Sequence, residues 1–157
     1  MLLELAQYLS KEYRVFAVSN SLRNLALDLG VGAERALVIP NGVDTDRFRP
    51  LPRDEARRQL GIPVNVRVLV TVGGLVLRKG YHRVIERLPA LRRKWGDVIY
   101  LAVGGASREG DHGAALKAQA AQAGVGDYVR FLGPLPPDAL SAPLSAADVL
   151  VLASSNE

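Results

Sequence analysis

The chain has 157 residues, enough for one compact domain with a core, because chains of this size bury about two-thirds of the surface that the unfolded state exposes. It has no cysteine, which excludes disulfides, thiolate metal sites and a cysteine nucleophile, and charged residues interrupt every apolar stretch before the ~20 residues that a transmembrane helix needs. The net charge is +4, and the excess of basic residues over residues 1–95 is consistent with an anionic small ligand, with a nucleic acid as partner, or with solubility alone.

Short apolar runs predict β-strands, in chain order, at residues 14–18, 36–39, 67–72, 98–103, 128–132 and 148–152. The last four runs are nearly continuous in apolar and β-branched residues, which predicts strands covered on both faces. Helices are predicted between them at residues 20–29, 54–60, 81–95 and 113–123, with a kink or a local weakening at Pro89. The alternation predicts parallel βαβ units and therefore an α/β fold, a Rossmann-like parallel sheet with flanking helices.

The loop after strand 67–72 is a candidate phosphate site, because ligands of open parallel sheets bind beyond the carboxyl ends of the strands. It begins with Gly73 and Gly74 and ends with Arg78 and Lys79, just before a predicted helix. The glycines allow close approach of a ligand, the helix start offers free N–H groups, and the two cations add positive charge. A glycine turn with solvated basic residues explains the same pattern, and the spacing alone does not separate the two interpretations.

The segments that follow three other predicted strands are further candidate binding loops. Gly104 and Gly105 follow strand 98–103, where a turn is the favoured interpretation, and residues 133–137 form a rigid loop whose backbone can meet a flat base. Glu157 follows the last apolar run and can accept hydrogen bonds from sugar hydroxyls. The two histidines are not spaced as a catalytic pair, no metal-ligand spacing is present, and no serine lies in a nucleophile elbow. We therefore predict neither a metal site nor nucleophilic catalysis.

Several short motifs occur in a fixed order, at residues 39–44 (IPNGVD), 47–50 (RFRP), 72–75 (VGGL), 78–80 (RKG), 129–133 (VRFLG) and 145–152 (SAADVLVL). Together they resemble the carboxy-terminal, donor-binding half of retaining GT-B glycosyltransferases of group 1 (family 4), from about Phe16 onward. The resemblance implies transfer of a sugar from a UDP- or GDP-linked donor to an acceptor hydroxyl with retention. It implies neither a bound metal nor any other cofactor.

The resemblance gives individual residues their roles. Lys79 and Glu157 are the implied catalytic residues. Lys79 matches the family lysine that neutralises the donor diphosphate, on which charge builds in the transition state. Glu157 matches the first glutamate of the family's Glu, seven residues, Glu motif, which holds hydroxyls of the donor sugar. The backbone of Leu135 matches the position that meets the base.

Gly73, Gly74 and Arg78 complete the predicted donor-binding set, although many relatives have arginine where this chain has Gly74. Arg78 is the candidate substitute for that arginine. The sequence ends on the first glutamate, and neither the second glutamate nor the amino-terminal acceptor domain with its catalytic histidine is present. We therefore interpret residues 1–50 as a hinge segment from the interdomain region and residues 51–157 as a partial donor-binding domain without transferase activity.

The implied partners are the nucleotide-sugar donor and the missing acceptor domain. A cytoplasmic protein is expected, and the inner face of the membrane, with peripheral association of the full enzyme, is an alternative location. A non-enzymatic nucleotide-binding α/β module is the rival interpretation of the function. Nucleic-acid binding is not predicted, because the basic residues are scattered along helices with few aromatic neighbours and form no known binding motif.

Overall fold

The computed structural model describes residues 13–155, and these divide into two units between Asp44 and Thr45. Each unit contains parallel strands joined by a helix, as the strand–helix alternation predicts. Across residues 13–155, no helix is both long enough and apolar enough to cross a bilayer. The interpretation of residues 1–50 as an interdomain hinge stays a prediction.

The first unit consists of β1 (Val15–Ala17), α1 (Asn20–Asp28) and β2 (Ala36–Val38). The two strands pair in parallel, with Val15 opposite Ala36. Helix α1 begins after Ser19, because the Ser19 hydroxyl accepts a hydrogen bond from the backbone N–H of Leu22. Arg23 ties this helix to β2, since its Nε donates to the carbonyl oxygen of Ala36 at 2.8 Å.

The second unit contains α2 (Arg53–Gln59), β3 (Arg67–Val72), α3 (Tyr81–Trp95), β4 (Val98–Val103), α4 (Gly113–Gln122), β5 (Val129–Gly133), α5 (Ser141–Ala146) and β6 (Val149–Leu150). These strands form one parallel sheet in the order β5–β4–β3–β6. The predicted fold class is therefore confirmed as a Rossmann-like parallel sheet with flanking helices.

Two apolar cores cover the central strands from opposite faces. Strands β3 and β4 pair over their whole length, from Arg67 opposite Val98 to Val72 opposite Val103. Because successive side chains of a strand point to opposite faces, each strand supplies both cores. The core beneath α3 and α4 includes Leu69, Tyr81, Ile85, Leu88, Tyr100, Ala102 and Leu116, and the core beneath α2 and α5 includes Ala56, Val68, Val70, Leu101 and Ala146.

Helix α3 continues through Pro89, where the sequence predicts a kink or a local weakening. A proline inside a helix costs about 3 kcal/mol, because one backbone hydrogen bond is lost and the ring crowds the preceding turn. Val84, Ile85 and Leu88 of the same helix are buried in the core. Burial of each such side chain contributes about 1.5–3 kcal/mol, so the apolar face outweighs the cost of the proline.

Strand β6 and helix α5 differ from the sequence predictions. The predicted strand 148–152 is reduced to two residues, Val149 and Leu150, and both are exposed at the edge of the described sheet rather than covered on both faces. Just before the strand, the Asp148 Oδ2 accepts the N–H of Val68 at 2.7 Å. Helix α5 is not indicated by the local pattern, and its core contact is made by Ala146.

Candidate functional site

The carboxyl ends of β3, β4 and β5 surround a cavity of about 270 Å³. Its lining includes Gly73 and Gly74 after β3, residues 104–107 after β4, and Pro134 and Leu135 after β5. This is the edge at which open parallel sheets bind their ligands. The predicted residues Gly73, Gly74 and Leu135 therefore share one cavity, which is the candidate site.

Two glycine backbones form the floor of this cavity. Gly104 has a φ of +143°, and a Cβ atom built on it would lie 1.7 Å from the carbonyl oxygen of Gly73. The hydroxyl of Tyr81 lies 2.9 Å from the carbonyl oxygens of both Gly73 and Val103 and donates its hydrogen bond to this pair. Burial raises the pKa of Tyr81 to about 12, so the hydroxyl remains a donor at neutral pH. Helix α3 thus fixes the two loops of the floor.

Lys79 lies beside the floor, just before the amino terminus of α3. Between Lys79 and the helix, Gly80 adopts a left-handed conformation with a φ of +74°, and a Cβ atom on it would lie 2.0 Å from the carbonyl oxygen of Ala153. The turn brings the Lys79 Cδ and Cε to 3.5 Å from the Cβ position of Gly73. The lysine side chain therefore lies along the Gly73 backbone, near the positive end of the helix dipole.

Arg78 is bound by a carboxylate that the sequence does not indicate as part of the site. Its Nε and Nη2 lie 3.0 Å and 2.6 Å from Oε2 and Oε1 of Glu109, which is a two-point ion pair. The hydrogen bond from Arg78, together with the charges of Arg78 and Lys79, holds the pKa of Glu109 below its usual range. The guanidinium predicted to bind phosphate thus already holds an anionic group of the chain.

The turn that carries Glu109 lies at the edge of the cavity. Ser107 and Gly110 close it, with backbone N–H to carbonyl oxygen distances of 2.9 Å and 3.1 Å, and the Glu109 N–H donates to the Ser107 hydroxyl at 3.2 Å. A Cβ atom built on Gly74 would lie only 2.9 Å from the Cβ of Ser107. The turn therefore occupies the space that a side chain at position 74 would enter.

The segment after β6 returns to the same region. The Ser155 N–H donates to the carbonyl oxygen of Arg78 at 2.9 Å, and Nη1 of Arg83 donates to the carbonyl oxygen of Ala153 at 3.0 Å. These bonds attach the chain after β6 to the loop that carries Lys79. Glu157, the predicted sugar-binding carboxylate, lies outside the described residues, and its role stays a prediction.

The sequence favours a turn at Gly104 and Gly105. Gly104 has the positive φ of such a turn, and it also lines the cavity. The pair of glycines at a strand end was the available signal for this part of the site. Nothing local indicated Ser107 or Glu109. Over residues 13–155, no group of three histidine, aspartate or glutamate side chains lies close enough together to hold a metal ion.

The parallel sheet and the glycine-lined cavity at its carboxyl edge define a Rossmann-like α/β domain. Domains of this class bind their ligands at that edge of the sheet. Residues 52–157 match the family described as Glycosyl transferases group 1. The chain belongs to this family. The resemblance of the sequence motifs to group 1 glycosyltransferases is therefore confirmed.

Curated relatives are 32–38% identical to this chain over the residues that align. A D-inositol 3-phosphate glycosyltransferase of Geodermatophilus obscurus is 35% identical over 146 residues, which are 88% of this chain and 32% of the relative. A GDP-mannose-dependent alpha-(1-6)-phosphatidylinositol monomannoside mannosyltransferase of Mycolicibacterium smegmatis is 37% identical over 115 residues, 73% of this chain and 29% of the relative. The chain spans about a third of the length of the curated relatives it matches.

Solved structures give the same fold. Anabaena HepE in complex with UDP and glucose is similar over 97% of this chain and 41% of its own, with a TM-score of 0.79 and 26% identity. The same protein in complex with UDP gives a TM-score of 0.83 at 26% identity, over 98% of this chain and 42% of its own. WaaG, a glycosyltransferase involved in lipopolysaccharide biosynthesis, is 24% identical with a TM-score of 0.75, over 92% of this chain and 39% of its own, and shows the fold alone.

Proposed function

We propose that this chain is the donor-binding part of a retaining, metal-independent glycosyltransferase. The enzyme transfers a sugar from a UDP- or GDP-linked donor to an acceptor hydroxyl. The bond from the anomeric carbon to the diphosphate oxygen breaks, the acceptor oxygen bonds to the same carbon, and the hydroxyl proton of the acceptor passes to the leaving diphosphate. The complexes of Anabaena HepE with UDP and glucose, and the GDP-mannose dependence of the mycobacterial relative, support a nucleotide-sugar donor.

The observation that carries this proposal is the position of Lys79 against Gly73 at the edge of the cavity. Negative charge grows on the leaving diphosphate as the glycosidic bond breaks. A fixed ammonium group beside that diphosphate stabilises the charge, and the positive end of the α3 dipole adds to the effect. The close approach of the Gly73 and Gly104 backbones leaves the floor free of side chains, so a diphosphate can reach both the lysine and the helix.

The remaining parts of the donor are assigned to the neighbouring loops. Leu135 lines the cavity after β5, and its backbone offers hydrogen-bonding groups to the base. Glu157 holds hydroxyls of the donor sugar in this proposal. Arg78 is the second cation for the diphosphate, at the position from which it now binds Glu109.

The rest of the enzyme lies outside this chain, which spans about a third of its curated relatives. A separate domain binds the acceptor and completes the cleft, and residues 1–50 form the hinge towards it. The chain alone therefore binds the donor without transferring the sugar. We place the enzyme in the cytoplasm, where peripheral association with the inner face of the membrane would bring it to a lipid acceptor.

Calorimetric titration of the chain with UDP and with GDP tests this function. Lys79→Ala is expected to weaken binding about tenfold or more, because a hydrogen bond to a charged group contributes about 1.5–3 kcal/mol. Lys94→Ala is the matched control, since Lys94 is exposed in the last turn of α3, at the opposite end of the helix from Lys79. Its removal changes the net charge equally and should leave the affinity within about twofold.

Equal affinities of the chain and Lys79→Ala would contradict the diphosphate assignment. A second measurement distinguishes a transferase from a non-enzymatic nucleotide-binding module. It is made on this chain joined to an acceptor domain. Release of UDP or GDP from a sugar nucleotide, dependent on an added acceptor, supports the transferase. Nucleotide binding without acceptor-dependent release would favour the module.

A further inference from the structure

We propose that Glu109 is a carboxylate gate of the donor site, which competes with the donor diphosphate for the guanidinium of Arg78. This inference rests on the proposed donor-binding function and adds a residue that controls affinity at that site. Donor binding then exchanges one anion for another on the same cation. The carboxylate leaves the guanidinium, and phosphate oxygens take its place.

The geometry of the ion pair supports an exchange. Both carboxylate oxygens of Glu109 contact Arg78, so the carboxylate occupies the nitrogen pair, Nε and Nη2, that a phosphate would bind from the same side. The side chains of Arg78 and Glu109 are 37% and 50% exposed, so water reaches both groups. Solvent-exposed ion pairs are weak, whereas a diphosphate carries more charge and offers more acceptor oxygens. A bound donor therefore displaces the carboxylate at small cost.

The exchange also affects the rim of the cavity, because the turn that carries Glu109 forms part of that rim. Glu109 is attached to Ser107 through the hydroxyl that accepts its N–H, and Ser107 lies in the space beside Gly74. Release of Glu109 from Arg78 removes one connection between this turn and the loop after β3, and the backbone hydrogen bonds of Leu75 with Gly105 and His112 remain. Ser107 therefore links the two features, because it fills the space beside Gly74 and also binds the backbone of Glu109.

A double-mutant cycle on the full 157-residue chain tests the gate. Affinities for UDP, GDP and inorganic pyrophosphate are measured by calorimetry at constant ionic strength for Glu109→Gln, Arg78→Ala and the double variant. Glu109→Gln is expected to tighten binding about two- to fivefold, as removal of a competing surface ion pair predicts. In the Arg78→Ala background the same change should give no gain. Urea unfolding of each variant confirms that the fold is retained.

Asp111→Asn is the matched control, because it removes one negative charge from the same loop. The Asp111 Oδ1 accepts the N–H of Gly113 at 2.8 Å, and asparagine can keep that bond. No gain is expected from this variant. An equal gain from Asp111→Asn, or a gain from Glu109→Gln that persists without Arg78, would show a general charge effect and overturn the gate.

The outcomes also separate the gate from the donor-binding function. Binding by the unaltered chain with no gain in a folded Glu109→Gln variant rejects the gate and leaves the donor site standing. Binding by Glu109→Gln alone supports the gate in its strongest form. Binding by neither chain to any of the three probes rejects both.

Discussion

Arg57 of α2 and Asp148 before β6 are joined by a hydrogen bond of 3.0 Å, from Nη2 to Oδ2, across 91 positions of the sequence. The Arg57 side chain is 1% exposed, and its Nε also donates to the carbonyl oxygen of Ala146 at 3.1 Å. The same carboxylate oxygen of Asp148 accepts the N–H of Val68. One buried guanidinium thus connects α2, α5 and the start of the central strand.

Replacement of this buried cation should destabilise the second unit. Arg57→Met removes the hydrogen bonds to the carbonyl oxygens of Val64 and Ala146 and to Asp148, whose Oδ2 keeps only the N–H of Val68. We expect the free energy of unfolding to fall by about 2–3 kcal/mol, less than for a fully buried pair because Asp148 reaches water. Urea unfolding measures the loss. Arg58→Met, at the exposed neighbouring position, should change the value by less than about 0.5 kcal/mol, and an equal loss there would contradict the role of Arg57.

The cavity floor tolerates no side chain at Gly104. In Gly104→Ala the new methyl group would meet the Gly73 carbonyl oxygen, so we expect a loss of about 3 kcal/mol together with weaker UDP binding. Gly124→Ala is the control, since Gly124 has a φ of +69° but has no atom within 4 Å of its Cβ position. It should cost only about 1 kcal/mol from backbone strain and leave binding unchanged. Similar losses in the two variants would show that the close approach is unimportant.

The buried hydroxyl of Tyr81 should make stability depend on alkaline pH. Its pKa is raised from 10.0 to about 12 by burial, so the folded chain holds this proton more tightly than the unfolded chain. The stabilisation is complete below pH 10 and is lost as the pH rises towards 12, by about 1–3 kcal/mol. Unfolding free energies measured at pH 8 and pH 11 should differ less for Tyr81→Phe than for the unaltered chain. Identical pH dependence would reject this role of the hydroxyl.

Local sequence patterns were sufficient for most of the fold. The continuous apolar run 98–103 predicts the fully buried strand β4. The helical spacing of five apolar residues predicts one face of α3, of which Val84, Ile85 and Leu88 are buried, Leu91 is partly buried and Trp95 is exposed. These features are encoded by neighbouring residues, so a single sequence reveals them. The glycines after β3 and β4 marked two of the three loops around the cavity for the same reason, because a strand end followed by glycines is a local pattern.

Features that depend on distant partners were not predictable. Nothing near Arg57 indicates a buried cation, because two of the groups that it binds, the Ala146 carbonyl and the Asp148 carboxylate, lie about ninety positions away. The orientation of the Arg78 side chain could not be predicted for the same reason, because its partner Glu109 belongs to a different loop, 31 positions along the chain. Side-chain direction at a surface loop is decided by which opposite charge the fold brings near, and spacing along the sequence does not contain that information.

The hydrogen bond from Tyr81 to the Gly73 and Val103 carbonyls has a thermodynamic consequence for ligand binding. A floor fixed from within by a helix is preorganised, so the chain loses little conformational entropy there on binding the proposed nucleotide donor. Ordering costs are then confined to the rim that carries Glu109. Substitutions in the floor should therefore lower affinity mainly through entropy, while those in the rim should alter the enthalpy of ion exchange.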